Sequence, residues 1–187
     1  MTVEEIFSKI AARAIKGMMV HEQFANYYDF LGLYGYKACH EYHYIEETLS
    51  YRDICGYFIN HYNKLIPDAP IENPNIIPAS WHNYKRQDVD PNTKRNAVKT
   101  GLQTWRDWEL GTKKLYEQMY KELMDLNEVA SACKVKELIM DVDGELVNIG
   151  CYLLNKEAVN YDIGHIIGEQ EKKRKEYQRR NNHARSN

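Results

Sequence analysis

The polar and apolar positions of this 187-residue chain repeat with the period of an α-helix almost from end to end. Phe7, Ile10, Ala14, Met18, Ala25 and Tyr28 form one stripe, which predicts a first helix over 3–33. Ile54, Phe58 and Leu65 continue a second stripe with Tyr51, predicting a helix over 37–65. Gly32 and Gly35 permit a tight reversal between them, so the two should form an antiparallel hairpin. All five prolines lie between Pro67 and Pro91, and residues 66–91 therefore read as a long crossover that cannot be one helix.

Beyond it, Asp90-Pro91 is a capping acid followed by a proline suited to the first helical position. The stripe Val98, Leu102, Trp105, Trp108, Thr112, Leu115, Tyr116, Met119 and Leu123 predicts a third helix over 92–126. A fourth, over 128–155, carries Val135, Leu138, Ile139, Val142, Leu146, Ile149 and Leu153 and should pack antiparallel to the third. The last segment, 160–180, starts with Ile163, Ile166 and Ile167 and ends in EKKRKEYQRR, so only its first two turns are expected to dock. No stretch alternates like a strand, and a single all-α domain follows.

Two of these stripes are interrupted by groups that do not belong in an apolar seam. His21 sits in the middle of the first, while His40 and Glu47 fall within about 60° of the apolar positions of the second. A buried carboxylate needs a partner or a metal. Glu46, one position away, projects elsewhere on the helical wheel. By the same count Glu109 faces inward from the third helix, Glu145 lies near the apolar face of the fourth and Asp141 at its edge. His21, Glu47 and Glu109 can converge from three helices, with His40 or His43 nearby. The alternative is a polar core in which these groups pair with one another or with tyrosine hydroxyls.

The order of the helices, the long crossover after the second and the short fifth helix together resemble the ferritin-like family over nearly the whole chain. The resemblance implies an antiparallel four-helix bundle with the long crossover between the second and third helices and a short C-terminal fifth helix. It also implies iron, or another divalent metal, held in the bundle core by carboxylates and Glu-x-x-His pairs. Ile45-Glu46-Glu47-Thr48-Leu49-Ser50 lies where the family's second helix carries such a pair; Glu47 matches and Ser50 stands in place of histidine. Trp105-Arg-Asp-Trp-Glu109 and Asp141-Val-Asp-Gly-Glu145 are similar to the acidic stretches of the third and fourth helices. Gly17 stands at or near the first helix's glutamate, and no Glu-x-x-His occurs anywhere. The metal candidates are therefore His21, Glu47, Glu109, Asp141, Glu145, His40 and His43, with iron oxidation or storage the implied activity, ferroxidase-like at most. No bound metal is the equal alternative.

Composition adds partners rather than chemistry. The formal charge is only −2, yet residues 171–187 carry seven Lys or Arg against two Glu. That tail is a solvated helix end or a contact for nucleic acid or another acidic partner. Ala38, Tyr42, Ile45 and Leu49, opposite Glu47, imply that the second helix is covered on two sides and favour a homo-oligomer. A competing reading is a non-catalytic helical protein that lost its metal site and acts through Trp81-His82-Asn83-Tyr84 of the crossover or through the basic tail. The four cysteines form no CxxC and read as reduced core thiols. No apolar run spans a membrane, and the first residues lack signal-peptide character, so a cytoplasmic location is expected.

Overall fold

The computed structural model describes residues 1–76, 85–86 and 89–186, and all regular structure among them is helical. Five helices follow in order: α1 (Val3–Phe30), α2 (Tyr34–Tyr62), α3 (Pro91–Asp125), α4 (Val129–Ala158) and α5 (Ile163–Ser186). The Trp81-His82-Asn83-Tyr84 segment lies outside the described residues.

Local chemistry sets the boundaries. Thr2 and Glu5 form a capping box at the start of α1: the Glu5 amide donates to Thr2 Oγ1, and the Thr2 amide donates to Glu5 Oε2. At the other end Gly32 adopts φ 68°, and the Leu33 amide donates 2.8 Å back to the Tyr28 carbonyl, closing the helix over a left-handed residue. The reversal is therefore complete by Leu33, and Gly35, expected in the turn, lies inside α2. Asp90 Oδ1 accepts from the Thr93 amide, with Pro91 in the first turn of α3. Asn63, Asn127 and Asn160, all at positive φ, follow the ends of α2, α3 and α4.

Contacts between distant residues fix the helix directions. Phe7 meets Phe58 at 5.2 Å between ring centroids and His21 meets His40, so α2 returns antiparallel along α1. The N-terminal amine lies 3.6 Å from Glu122, while Tyr28 packs on Gly101, so α3 is also antiparallel to α1. Tyr62 donates to Glu128 and His43 approaches Glu145, which places α4 antiparallel to α2. The crossover climbs beside α1: Ser8 Oγ donates to the Pro67 carbonyl, the Ile76 amide donates to Gln23 Oε1, and Arg86 reaches the Phe30 carbonyl.

The buried apolar residues fall into two clusters. One gathers Ile6, Phe7, Phe58, Met119, Leu123 and Val135; the other gathers Val20, Phe24, Tyr28, Leu102, Trp105 and Ile149. Full burial of a side chain of this kind contributes about 1.5–3 kcal/mol relative to exposure. Between the clusters runs a polar band, and it holds the candidate site.

α5 docks further along its length than its basic sequence suggests. Tyr177 is buried, pairs its hydroxyl with that of Tyr152 at 3.0 Å and packs on Tyr42 at 5.8 Å. Lys173 is buried too, its Nζ 3.5 Å from the centre of the Tyr152 ring, so an aromatic face replaces water around the amine. Lys156 and Glu169 add a salt bridge. The charges left outside on this stretch include Lys172, Lys175 and Arg179.

α5 also accounts for much of the second apolar face of α2, since it covers Ala38 and Tyr42 within the same chain; Leu49 stays exposed. Tyr42→Glu should accordingly loosen α5. Limited proteolysis is expected to cut within 163–186 several-fold faster while helical circular dichroism is kept, and unchanged cleavage would show that this ring contact does not hold α5.

Candidate metal centre

In the polar band α2 contributes His43, Glu46 and Glu47, α3 contributes Glu109, and α4 contributes Asp141 and Glu145; all six line one cavity of about 520 Å³. His43 and Glu46 are one turn apart on α2, which brings His43 Nδ1 to 3.1 Å from Glu46 Oε2. Glu145 Oε1 approaches the same nitrogen to 3.4 Å from α4. Among the described residues these three form the cluster whose donor atoms all lie within 4.8 Å of one another. Neither carboxylate makes an aligned hydrogen bond to His43 Nδ1, which is buried without one. A cation in the ring plane, taking the place of that nitrogen's proton, would satisfy it better.

The two deeper carboxylates are short of partners. Glu109 is 2% exposed, and its Oε1 has no hydrogen bond. Glu47 lies against Gly17 of α1, where a Cβ would overlap its carboxylate, so the missing side chain at position 17 is the space that Glu47 fills. Burial, reinforced by Glu145, pushes the Glu47 pKa up to about 8. The Glu109 carboxyl is raised well above its usual range by burial and then by Glu145 and Glu47. The His43 charge and then Arg13 of α1 act against these shifts. Arg13 Nε and Nη2 donate to Thr112 Oγ1, and its guanidinium stacks 3.3 Å over Trp108, one residue from Glu109. Neither charge reverses the upward shifts.

His43 behaves differently from the other buried histidines. Burial disfavours its imidazolium, but Glu145, Glu46 and a hydrogen bond with Cys39 outweigh this and raise its pKa well above 6.5. The Cys39 thiol, which burial alone would raise, is held below its ordinary value by the same bond and by the His43 charge. His21 and His40 instead turn toward each other, Nδ1 to Nδ1 at 3.0 Å, with the His40 ring stacked on Phe24 and Tyr28 and its edge toward Trp105. Burial keeps both below the usual histidine range, so one neutral ring donates and the other accepts. Neither lines the cavity.

Of the seven residues singled out in the sequence, the structure thus brings Glu47, Glu109, Asp141, Glu145 and His43 around one space and sets His21 and His40 apart. Asp141 is on the wall, its pKa raised first by burial and then by Glu137 and Glu145. Glu46 is the residue that sequence reasoning missed. The wheel placed it about 100° from Glu47, but the cavity spans the gap from α3 to α4 and takes both. The available signal was His43-x-x-Glu46, the expected Glu-x-x-His pattern written backwards.

Hard carboxylate oxygens together with one imidazole suit a divalent transition ion such as iron, manganese or zinc. Comparison with protein families, with curated proteins and with solved structures finds no match to this chain.

Proposed function

We propose that this chain is a divergent ferritin-like protein that binds iron or another divalent metal between its helices, with iron oxidation or storage as the associated activity. The observation that carries the reading is the cavity itself, where five carboxylates and one imidazole meet and where Glu109 Oε1 is buried without a partner. A divalent cation would satisfy that oxygen and offset the mutual repulsion that raises Glu47 and Glu109. The antiparallel α1–α2 and α2–α4 relations and the crossover running the length of α1 support a ferritin-like arrangement of the four long helices.

His43, Glu46 and Glu145 would be the first ligands, and Glu47 and Glu109 would complete the donor set from α2 and α3. Bound iron would supply one-electron exchange with an oxidant. The chain's own residues would hold the cation, release the imidazolium proton of His43 and the carboxyl protons of Glu47 and Glu109 as it enters, and shield it with Trp105 and Tyr116. Gly17 leaves α1 without a donor, so the site leans on α2, α3 and α4.

Elemental analysis of protein purified without chelator and incubated with Fe²⁺ or Mn²⁺ tests this. Stoichiometric metal is expected in the wild type and little in His43→Ala or Glu145→Gln. At a free metal concentration 100-fold above Kd, binding should stabilise the wild type by about 2.7 kcal/mol. Equal metal content in all three proteins, or none in the wild type, would overturn the assignment.

A further inference from the structure

We infer that the cavity has a second occupant besides a cation: a small carboxylate whose acid group lies against Arg180 at the mouth while its other end faces the acidic floor. The inference rests on the metal reading above.

The cavity, about 520 Å³, falls in the range of small-molecule sites, several times what one ion and a few waters fill. Its charge is arranged in two layers. Glu47, Glu109 and Glu145 lie on α2, α3 and α4, whereas Arg180, near the end of α5, lies on the lining with Tyr42 and Tyr177. The Arg180 guanidinium is 5.3 Å from the centre of the Tyr177 ring and 5.7 Å from that of Tyr42, which confines it to this side of the opening. Glu176 takes a single hydrogen bond from its Nη2 at 2.8 Å, and the guanidinium carries five donors in all. Arg180 stays half exposed. A planar guanidinium with spare donors beside phenol rings is suited to a carboxylate, which it can grip through two parallel bonds.

The floor decides when such an anion enters. Without a cation, the carboxylates of Glu46 and Glu145 would repel it; with a divalent ion among the acidic groups, a hydroxyl on the ligand gains an electropositive partner while its carboxylate stays on Arg180. Binding of cation and carboxylate is therefore mutually strengthening, and the coupling is reciprocal. The walls between the two ends include Trp105, Leu138 and Tyr152, which favour a short organic body over a bare inorganic anion. Glu46 lines the cavity together with Arg180. A doubly charged phosphate would be repelled by that carboxylate more strongly than a singly charged carboxylate would.

The experiment uses full-length protein loaded with Mn²⁺, with lactate as the probe, 1,2-propanediol as the uncharged control and inorganic phosphate as the competing anion, read by isothermal titration and thermal shift. Lactate is expected to bind the loaded protein at least tenfold more tightly than the metal-free protein, and propanediol to bind neither. Arg180→Gln should weaken lactate at least tenfold while Mn²⁺ content and helical circular dichroism stay at wild-type levels; Arg180→Lys should recover part of the loss. Mn²⁺ uptake with no lactate binding, or lactate binding indifferent to Arg180, would overturn this inference and leave the metal reading standing. Phosphate binding as tightly as lactate with the same Arg180 dependence would overturn the carboxylate assignment. Failure to take up Mn²⁺ would overturn both readings.

Discussion

Gly101→Ala will lower the stability of this protein, although alanine is the better helix former by about 1 kcal/mol. A Cβ at position 101 would overlap Tyr28 Oη and lie 3.0 Å from Cζ of the same ring. Tyr28 has no room to yield. It is fully buried, with its ring stacked on Tyr36 at 5.1 Å, His40 at 5.4 Å and Phe24 at 6.1 Å. Overpacking of a fixed core group costs about 1–3 kcal/mol and more where backbones must part, so the clash should exceed the propensity gain by about 2 kcal/mol. For a chain of this length that is a fall of roughly 4–8 °C in Tm.

The same contact supplies its own control. The Tyr28 hydroxyl is buried without a hydrogen-bond partner, so Tyr28→Phe should be neutral or slightly stabilising. Gly101→Ala in that background should regain most of what it lost. Additive effects of the two substitutions, or a Gly101→Ala protein as stable as the wild type, would show that α1 and α3 do not approach as closely as described.

The second large effect is a loss of metal-free stability as pH rises above about 6.5. Glu47, at about 8 in the folded protein against 4.5 in the unfolded chain, favours folding while it is protonated and loses that contribution as pH climbs through 8. Glu109 and His43 are shifted upward as well and act with the same sign, His43 only above its ordinary value of 6.5. His21 and His40 act oppositely: held neutral, they cost stability as pH falls below 6.5, where the unfolded chain takes up protons that they do not. Between about pH 4.5 and 6.5 the two carboxyls and the two neutral histidines therefore offset each other; above 6.5 the losses from Glu47, Glu109 and His43 are opposed by the lowered Cys39 thiol and outweigh it.

Urea unfolding at pH 6 and pH 8 should show the alkaline sample less stable by roughly 2–4 kcal/mol. Glu47→Gln should flatten the decline, because the amide keeps the shape without the charge. Excess Mn²⁺ should flatten it too, since the cation favours the ionised carboxylates that burial penalises. Stability equal or greater at pH 8 would contradict the account of Glu47 and Glu109 as protonated buried acids.

How much of the site could be read beforehand depended on the kind of information each residue needed. Glu47 and Glu109 were found because a single helix wheel suffices to show a carboxylate on an apolar face. His21 satisfied the same test and still pointed the wrong way for the cavity, since a wheel shows that a residue faces inward but not which inward neighbour it meets. His40, on the antiparallel partner, is at hydrogen-bonding distance from it, and the two neutral imidazoles pair through their Nδ1 atoms while His21 Nε2 stays buried without a partner. Glu46 was set aside for the converse reason, because one angle was taken as the inward direction where the space between three helices spans a wide arc.

The docking of α5 went unread for a chemical reason. A basic run looks solvated, yet Lys173 is buried because Tyr152 offers its ring face and Tyr177 continues the same surface. Tyr177 is four residues from Lys173 in the same run, but Tyr152 lies on α4, and nothing in the run itself announces that ring.

The sequence alone determined that this chain is helical, where its long helices break and which faces turn inward. Those properties depend on neighbours within about one turn: the Thr2–Glu5 capping box, Asp90 before Pro91, a glycine able to take positive φ at position 32 and apolar residues every three or four positions. Tertiary structure alone decided that His43, not His21, meets the carboxylates, that Gly17 makes room for Glu47 and that Arg180 reaches the mouth of the cavity. Each of these depends on the rotation and register of helices 30 to more than 100 residues apart. Register is set by the summed packing of many side chains, and no short window of sequence contains that sum.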